Sequence, residues 1–385
     1  GRGRAEPRRG AGMSDPLPLR GRLVLDLSQG IAGPACGMAM AEMGARVIKV
    51  EPPSGDWIRN LGAAAAPGAS GFSLYYNRGK ESLTLDLKSK GGLEAALKLA
   101  AQADLLIESG RPGVTAKMGL GFEAVKALNP GIVYLTISGF GLEGPRAHEP
   151  MVDTYAQAFT GMMAMTRDDR GAPVRFGQPL IDALTGLYAT QAALAALFPT
   201  EGPRQARRLD VSLVQSAAAL MGPKLLEWEI TGGRVQSINP PAGIYMASDR
   251  HLALTLVREV EWAGICRALD REAWIEDPRY ASFALRNANW DELRAQLEAI
   301  FASDTAEAWS DRLTAQGVLA RPVNDFADWL TDPQVLAANA APVMDLGAVS
   351  LPTPRTPSRQ PFAAPAPGAG QHTAALSDEF GLVLD

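Results

Sequence analysis

SQGIAGPACGMAMAEMGARVIKVE, residues 28–51, joins a short apolar run, RLVLDL (22–27), to a second one, ARVIKVE (45–51). The two runs have the length and composition of buried strands, and the small, apolar residues from Pro34 to Met43 suit a packed helix between them. The unit therefore reads as strand, tight turn, helix, strand. A dinucleotide fingerprint would need G-x-G-x-x-G in that turn. Here Gly30 and Gly33 are three apart, and Ala32 and Ala35 stand where further glycines would be required. Glu51, at the end of the second run, occupies the place of a ribose-binding acid, so the motif matches in two positions only. A tight turn built for close packing explains the glycines equally well.

The alternation continues outward from this unit. SLTLDL (82–87), DLLIES (104–109) and GIVYLTIS (131–138) read as strands, and KGGLEAALKLAAQA (90–103) and GFEAVKALNP (121–130) as helices. Strands separated by helices predict an α/β fold with a doubly wound, mostly parallel sheet. Two apolar helical stretches follow, 153–165 and 179–198, then a strand in RRLDVSL (207–213) and a helix ending near Glu229. GIYMASDRHLALTL (243–256) reads as a hairpin that opens a smaller α+β region. The Pro-rich segment 350–371 reads as an extended strap over the surface.

Composition narrows the function. The 385 residues are 46% hydrophobic and 21% charged, with a net charge of −5, so there is no overall basic field to hold a nucleic acid. Cys36 and Cys266 form no CxxC pair, and the three histidines are scattered, which gives no metal site and points to a reducing, cytoplasmic setting. The stretch 183–198 is interrupted by Thr and Gln, and no membrane span is predicted. Basic residues recur near the C-terminal ends of the predicted strands: Arg59, Arg78, Lys80, Lys88, Arg111 and Lys117. Doubly wound sheets bind ligands along that edge, and a row of cations there favours a polyphosphate. Asp153 and Asp182 each enter an apolar helical stretch, where N-capping is the simple explanation. Asp168 and Asp169 lie in a polar turn, TRDDRGAP.

Taken in order, six segments resemble the family III CoA-transferases: 24–59, 75–92, 103–121, 137–162, 177–197 and 320–335. The resemblance implies a Rossmann-like large domain over 19–228, a small α+β domain over 229–325, and a C-terminal segment, 326–385, returning to the large domain, after a disordered leader at 1–18. It also implies an interlocked homodimer. The polyphosphate becomes coenzyme A, with contacts assigned by position to Ile31, Ala32, Leu85, Lys88, Ser109, Gly110, Arg111 and Lys117, and with Arg59 as a further phosphate partner. The implied reaction moves CoA from an acyl-CoA to a free carboxylic acid through an aspartyl intermediate. Its nucleophile is placed at Asp169, with Asp168 as the fallback, and Asp153 and Asp182 match further family aspartates. Acyl-CoA racemases share the fold but use a histidine where this chain has Val152, which puts racemase second to transferase. A CoA-binding protein without transferase chemistry is the third reading.

Overall fold

The computed structural model describes residues 17–168, 171–198, 202–233, 237–357 and 364–384. The described chain divides into two units. The first holds a six-stranded parallel sheet made by β1 (Leu23–Asp26), β2 (Arg46–Glu51), β3 (Glu81–Thr84), β4 (Leu105–Ser109), β5 (Val133–Ser138) and β6 (Arg207–Ser212). Their order is β3-β2-β1-β4-β5-β6. The order reverses between β1 and β4, and a doubly wound sheet opens its ligand crevice at that switch point, beyond the carboxyl ends of the strands.

The interior strands are nearly continuous apolar runs because both faces are covered. Val24, Leu105, Ile107, Val133 and Leu135 pack on one side, and Leu25, Ile48, Leu83, Leu106 and Tyr134 on the other. Helix α1 (Ala32–Glu42) is buried at every residue except Ala41, so it carries small side chains all round and no polar stripe. Helix α2 (Lys90–Ala100) is amphipathic: Ser89 accepts from Gly92 N–H at 3.0 Å, and Ala95, Ala96 and Leu99 face the core. Helix α3 (Leu180–Leu197) has the length and composition to cross a membrane. In this fold one face of it, carrying Ile181, Ala189 and Ala193, packs into the cluster that holds α1.

The second unit, 223–340, is built on a three-stranded antiparallel sheet of Gly243–Met246, His251–Thr255 and Leu319–Pro322. Its aromatic core includes Trp262, Trp274, Tyr280, Phe301 and Trp309. The boundaries differ from the sequence reading. The first crossing falls at Gly222/Pro223, inside the helix Leu213–Ile230, instead of at 228. The chain rejoins the first unit at 341 instead of 326, because the segment after the last strand stays tied to the second unit through Arg250 and Asp328 (2.9 Å).

The C-terminal segment continues past the expected strap. It ends in helix α4 (Thr373–Phe380), whose Leu376 joins the sheet's core, and it covers the edge strand β3. His372 N–H donates to Ser82 O (2.9 Å), Ser82 N–H to His372 Nδ1 (3.1 Å) and Thr84 N–H to Thr373 Oγ1 (3.0 Å). An open edge is thereby closed. Residues 1–16 of the expected leader lie outside the described residues.

Candidate functional site

A cleft of about 640 Å³ opens at the switch point of the sheet. The turn after β1 supplies Gln29, Ile31, Ala32 and Gly33, the loop after β4 supplies Ser109, Gly110 and Arg111, and α3 supplies Asp182. Trp57, Glu149 and Val152 complete the parts that bear on chemistry.

The turn owes its shape to its glycines. Gly30 has φ +81°, and a Cβ there would lie 2.4 Å from the Trp57 ring. A Cβ on Gly33 would collide with the Ser28 hydroxyl at 2.1 Å. The spacing that fails the dinucleotide motif is therefore explained by two packing contacts special to this turn. Its backbone donors are already engaged: Ser28 N–H on Asp26 (3.0 Å), Gln29 N–H on Ser109 Oγ (3.0 Å) and Gly30 N–H on Asp56 (3.1 Å).

Asp182 reaches the cleft because α3 and α1 touch through their smallest residues. Gly186 sits one turn along from Asp182, and a Cβ on it would lie 2.7 Å from Ala35 Cβ and 2.9 Å from Ala32 O. The half-buried Asp182 carboxyl is pushed up to about 7, first by burial and then by the charge of Asp153. Asp153 is itself buried and does not line the cleft. Its Oδ1 accepts from Ile181 N–H (2.7 Å) and Asp182 N–H (3.3 Å), and its Oδ2 from the Gln157 amide (2.6 Å). It thus satisfies the open N–H groups of the first turn of α3, which Pro179 cannot cap.

Five of the assigned CoA contacts, Ile31, Ala32, Ser109, Gly110 and Arg111, come together with Asp182 in this cleft. The others do not line it. Leu85 is buried, whereas Lys88 is exposed in a turn and Lys117 is exposed at the end of the short helix Val114–Lys117. Arg59 is corrected from phosphate partner to internal counter-ion: its guanidinium is buried and donates to both Glu51 oxygens (2.5 and 2.6 Å) and to Pro367 O (3.2 Å). Arg78 and Lys80, two more of the row of basic residues, are likewise buried against Glu42 (2.7 Å) and Asp26 (2.8 Å). Arg59 follows the carboxyl end of β2, whereas Arg78 and Lys80 precede the first residue of β3, and all three are buried on carboxylates.

Asp168 is exposed in a hairpin where Arg167 bridges to Pro173, and its Oδ1 accepts from Ala172 N–H at 2.8 Å. That is a turn-forming bond. Asp169 lies outside the described residues. Sequence reasoning missed Asp56, Lys49, Trp57 and Gly186; of these, only Gly186 carried a signal, a glycine inside an apolar helical pattern.

The pattern of CoA-transferase family III matches residues 19–373. An acetyl-CoA:oxalate CoA-transferase of Acetobacter aceti is 33% identical over 346 residues, covering 87% of each chain. A succinate–glutarate CoA-transferase of Agrobacterium fabrum is 33% identical over 95% of this chain and 96% of its own. The crystal structure of Rv3272 from Mycobacterium tuberculosis superposes with a TM-score of 0.81 at 30% identity, covering 93% of this chain and 98% of that one.

Proposed function

The chain belongs to CoA-transferase family III, and on that premise we propose that it moves coenzyme A between an acyl-CoA and a free carboxylic acid through a covalent intermediate on Asp182. The observation that carries this assignment is the carboxyl of Asp182 in the cleft beside the turn and the 109–111 loop. It replaces the sequence-based preference for Asp169 or Asp168.

The Asp182 carboxylate attacks the thioester carbonyl and expels CoA thiolate, leaving an acyl-aspartyl anhydride. The thiolate attacks the aspartyl carbonyl, releasing the donor acid and forming an aspartyl-CoA thioester. The acceptor carboxylate then attacks that thioester and expels the thiolate, giving a second mixed anhydride, and the thiolate attacks its acceptor carbonyl, forming the new acyl-CoA and freeing Asp182 as the carboxylate. Burial suits this role, because a less solvated, more basic carboxylate is the stronger nucleophile. Ile31, Ala32 and Ser109 to Arg111 line the path we assign to the CoA chain, with exposed Arg111 at its polar end.

Relatives named for oxalate and glutarate make dicarboxylic acids the first acceptors to try. We also propose a homodimer, supported by large apolar side chains left exposed on two helices of the first unit: Leu187 (58%), Leu220 (45%) and Phe198 (75%) at the end of α3. The racemase reading is not favoured, since the relatives are named CoA-transferases and exposed Val152 lines the cleft where that chemistry needs a histidine.

The test is a chromatographic assay of CoA transfer from acetyl-CoA and succinyl-CoA to a panel of dicarboxylates, using Asp182→Asn, Asp168→Asn and Asp169→Asn. Asp182→Asn is expected to lose about a thousandfold or more in kcat, with Asp168→Asn within about threefold of the parent chain. Full activity in Asp182→Asn would return the nucleophile to the 168–169 turn. CoA binding with no transfer to any acid would leave a binding protein.

A further inference from the structure

The turn that lines the cleft is gripped by a pair of side chains that take no part in the proposed chemistry. Asp56, 1% exposed, follows β2 and accepts Gly30 N–H at 3.1 Å (Oδ1) and 3.3 Å (Oδ2). It also accepts Ile58 N–H at 3.1 Å. Its charge is balanced by Lys49, fully buried, at 3.0 Å. Lys49 donates as well to the carbonyl of Ser28, on the other side of the same turn. Burial would lower the Lys49 ammonium, but the carboxylates of Asp26 and Asp56 hold it above its ordinary value. The next residue, Trp57, lays its ring against the Cα of Gly30 and is half exposed to the cleft. Asp56 and Trp57 therefore hold one peptide from two sides, by a hydrogen bond and by a ring.

A buried ion pair is a poor source of stability compared with apolar residues of the same shape. What this pair adds is geometry: every bond it makes outside its own loop ends on the Ser28–Gly30 backbone, and the next residues, Ile31 to Gly33, form the cleft wall. We propose that Asp56, charge-balanced by Lys49, is the positioning residue of the acyl-CoA turn. The inference rests on the reading that this cleft takes acyl-CoA.

Two double variants isolate the bond to Gly30. Lys49→Met/Asp56→Asn and Lys49→Met/Asp56→Leu both remove the buried charges and share the loss of the Ser28 contact. Only the asparagine still offers an oxygen to Gly30 N–H. The Kd for CoA by titration calorimetry, KM and kcat with acyl-CoA, and thermal unfolding are measured for both and for the parent chain. The asparagine variant is expected to bind CoA within about threefold of the parent, and the leucine variant about tenfold or more weaker, with KM raised in step. Equal Kd values for the two, whatever their thermal stability, would overturn the inference and leave the CoA reading intact. A parent chain that does not bind CoA would overturn both.

Discussion

Gly186→Ala tests the contact that sets the proposed nucleophile. An added Cβ would lie 2.7 Å from Ala35 Cβ and 2.9 Å from Ala32 O, both backbone-rigid atoms of α1 or its first turn. Two carbon atoms settle at about 3.5 to 4.0 Å, so α3 must retreat from α1 by roughly 1 Å. Overpacking of that size typically destabilises by about 1 to 3 kcal/mol. The larger effect falls on Asp182, one turn away: a misplacement of about 1 Å between reacting groups can lower the rate about a hundredfold. We expect Gly186→Ala to remain folded by circular dichroism, with a modestly lower Tm, and to lose about thirty- to a hundredfold in kcat for CoA transfer. Its Kd for CoA should rise much less, because the contacts around Arg111 lie across the cleft. Unchanged kcat in a variant with normal stability would refute the claim that the α1–α3 contact positions the catalytic carboxyl.

Four further outcomes follow from the electrostatics. With Asp182 titrating at about 7 and needed as the anion, kcat/KM should climb as pH rises through about 7 and level off above it; Asp153→Asn, which removes a neighbouring negative charge, should move this limb to lower pH. The same raised value makes the ionised carboxyl a burden on folding: its contribution is fully favourable below the unfolded value of 3.8 and is lost as pH rises through about 7, so urea unfolding should show Asp182→Asn gaining on the parent chain as pH rises from about 4 to about 7 and levelling off above it. Arg59→Met should cost about 3 to 5 kcal/mol, because it strands buried Glu51, and should make residues 364–384 easier to clip in limited proteolysis; normal stability with lost CoA affinity would instead make Arg59 a phosphate ligand. Glu51, held at about 2 mainly by Arg59 and Ser82 against the cost of burial, contributes stability above about 4.5 that is lost as pH falls toward 2.

The parallel sheet was readable from the alternation of apolar runs and helices, since strands covered on both faces must be apolar throughout. The family resemblance then put Ile31, Ala32 and Ser109 to Arg111 on the loops of one cleft. What one-dimensional reading lacked was direction. Arg59 follows its strand as expected while Arg78 and Lys80 precede theirs, and each meets a carboxylate far enough away in sequence, or deep enough in the fold, that no local pattern announces the pair. Asp182 resembled a helix-start acid because local sequence reports the first turn of α3 and not the wall that this turn faces. Asp153, 28 residues from Ile181, does the capping instead. The nucleophile expectation for the turn DDRGAP rests on likeness to a motif; there Asp168 accepts from Ala172 N–H, and Asp169 lies outside the described residues.

The most direct test of the central claim is to trap the intermediate. The parent chain is incubated with acyl-CoA, quenched with hydroxylamine or borohydride, digested, and mapped by mass spectrometry. The account predicts a hydroxamate or a reduced side chain on the peptide containing Asp182, absent from Asp182→Asn. Modification at Asp168 or Asp169, with Asp182 untouched, would contradict it.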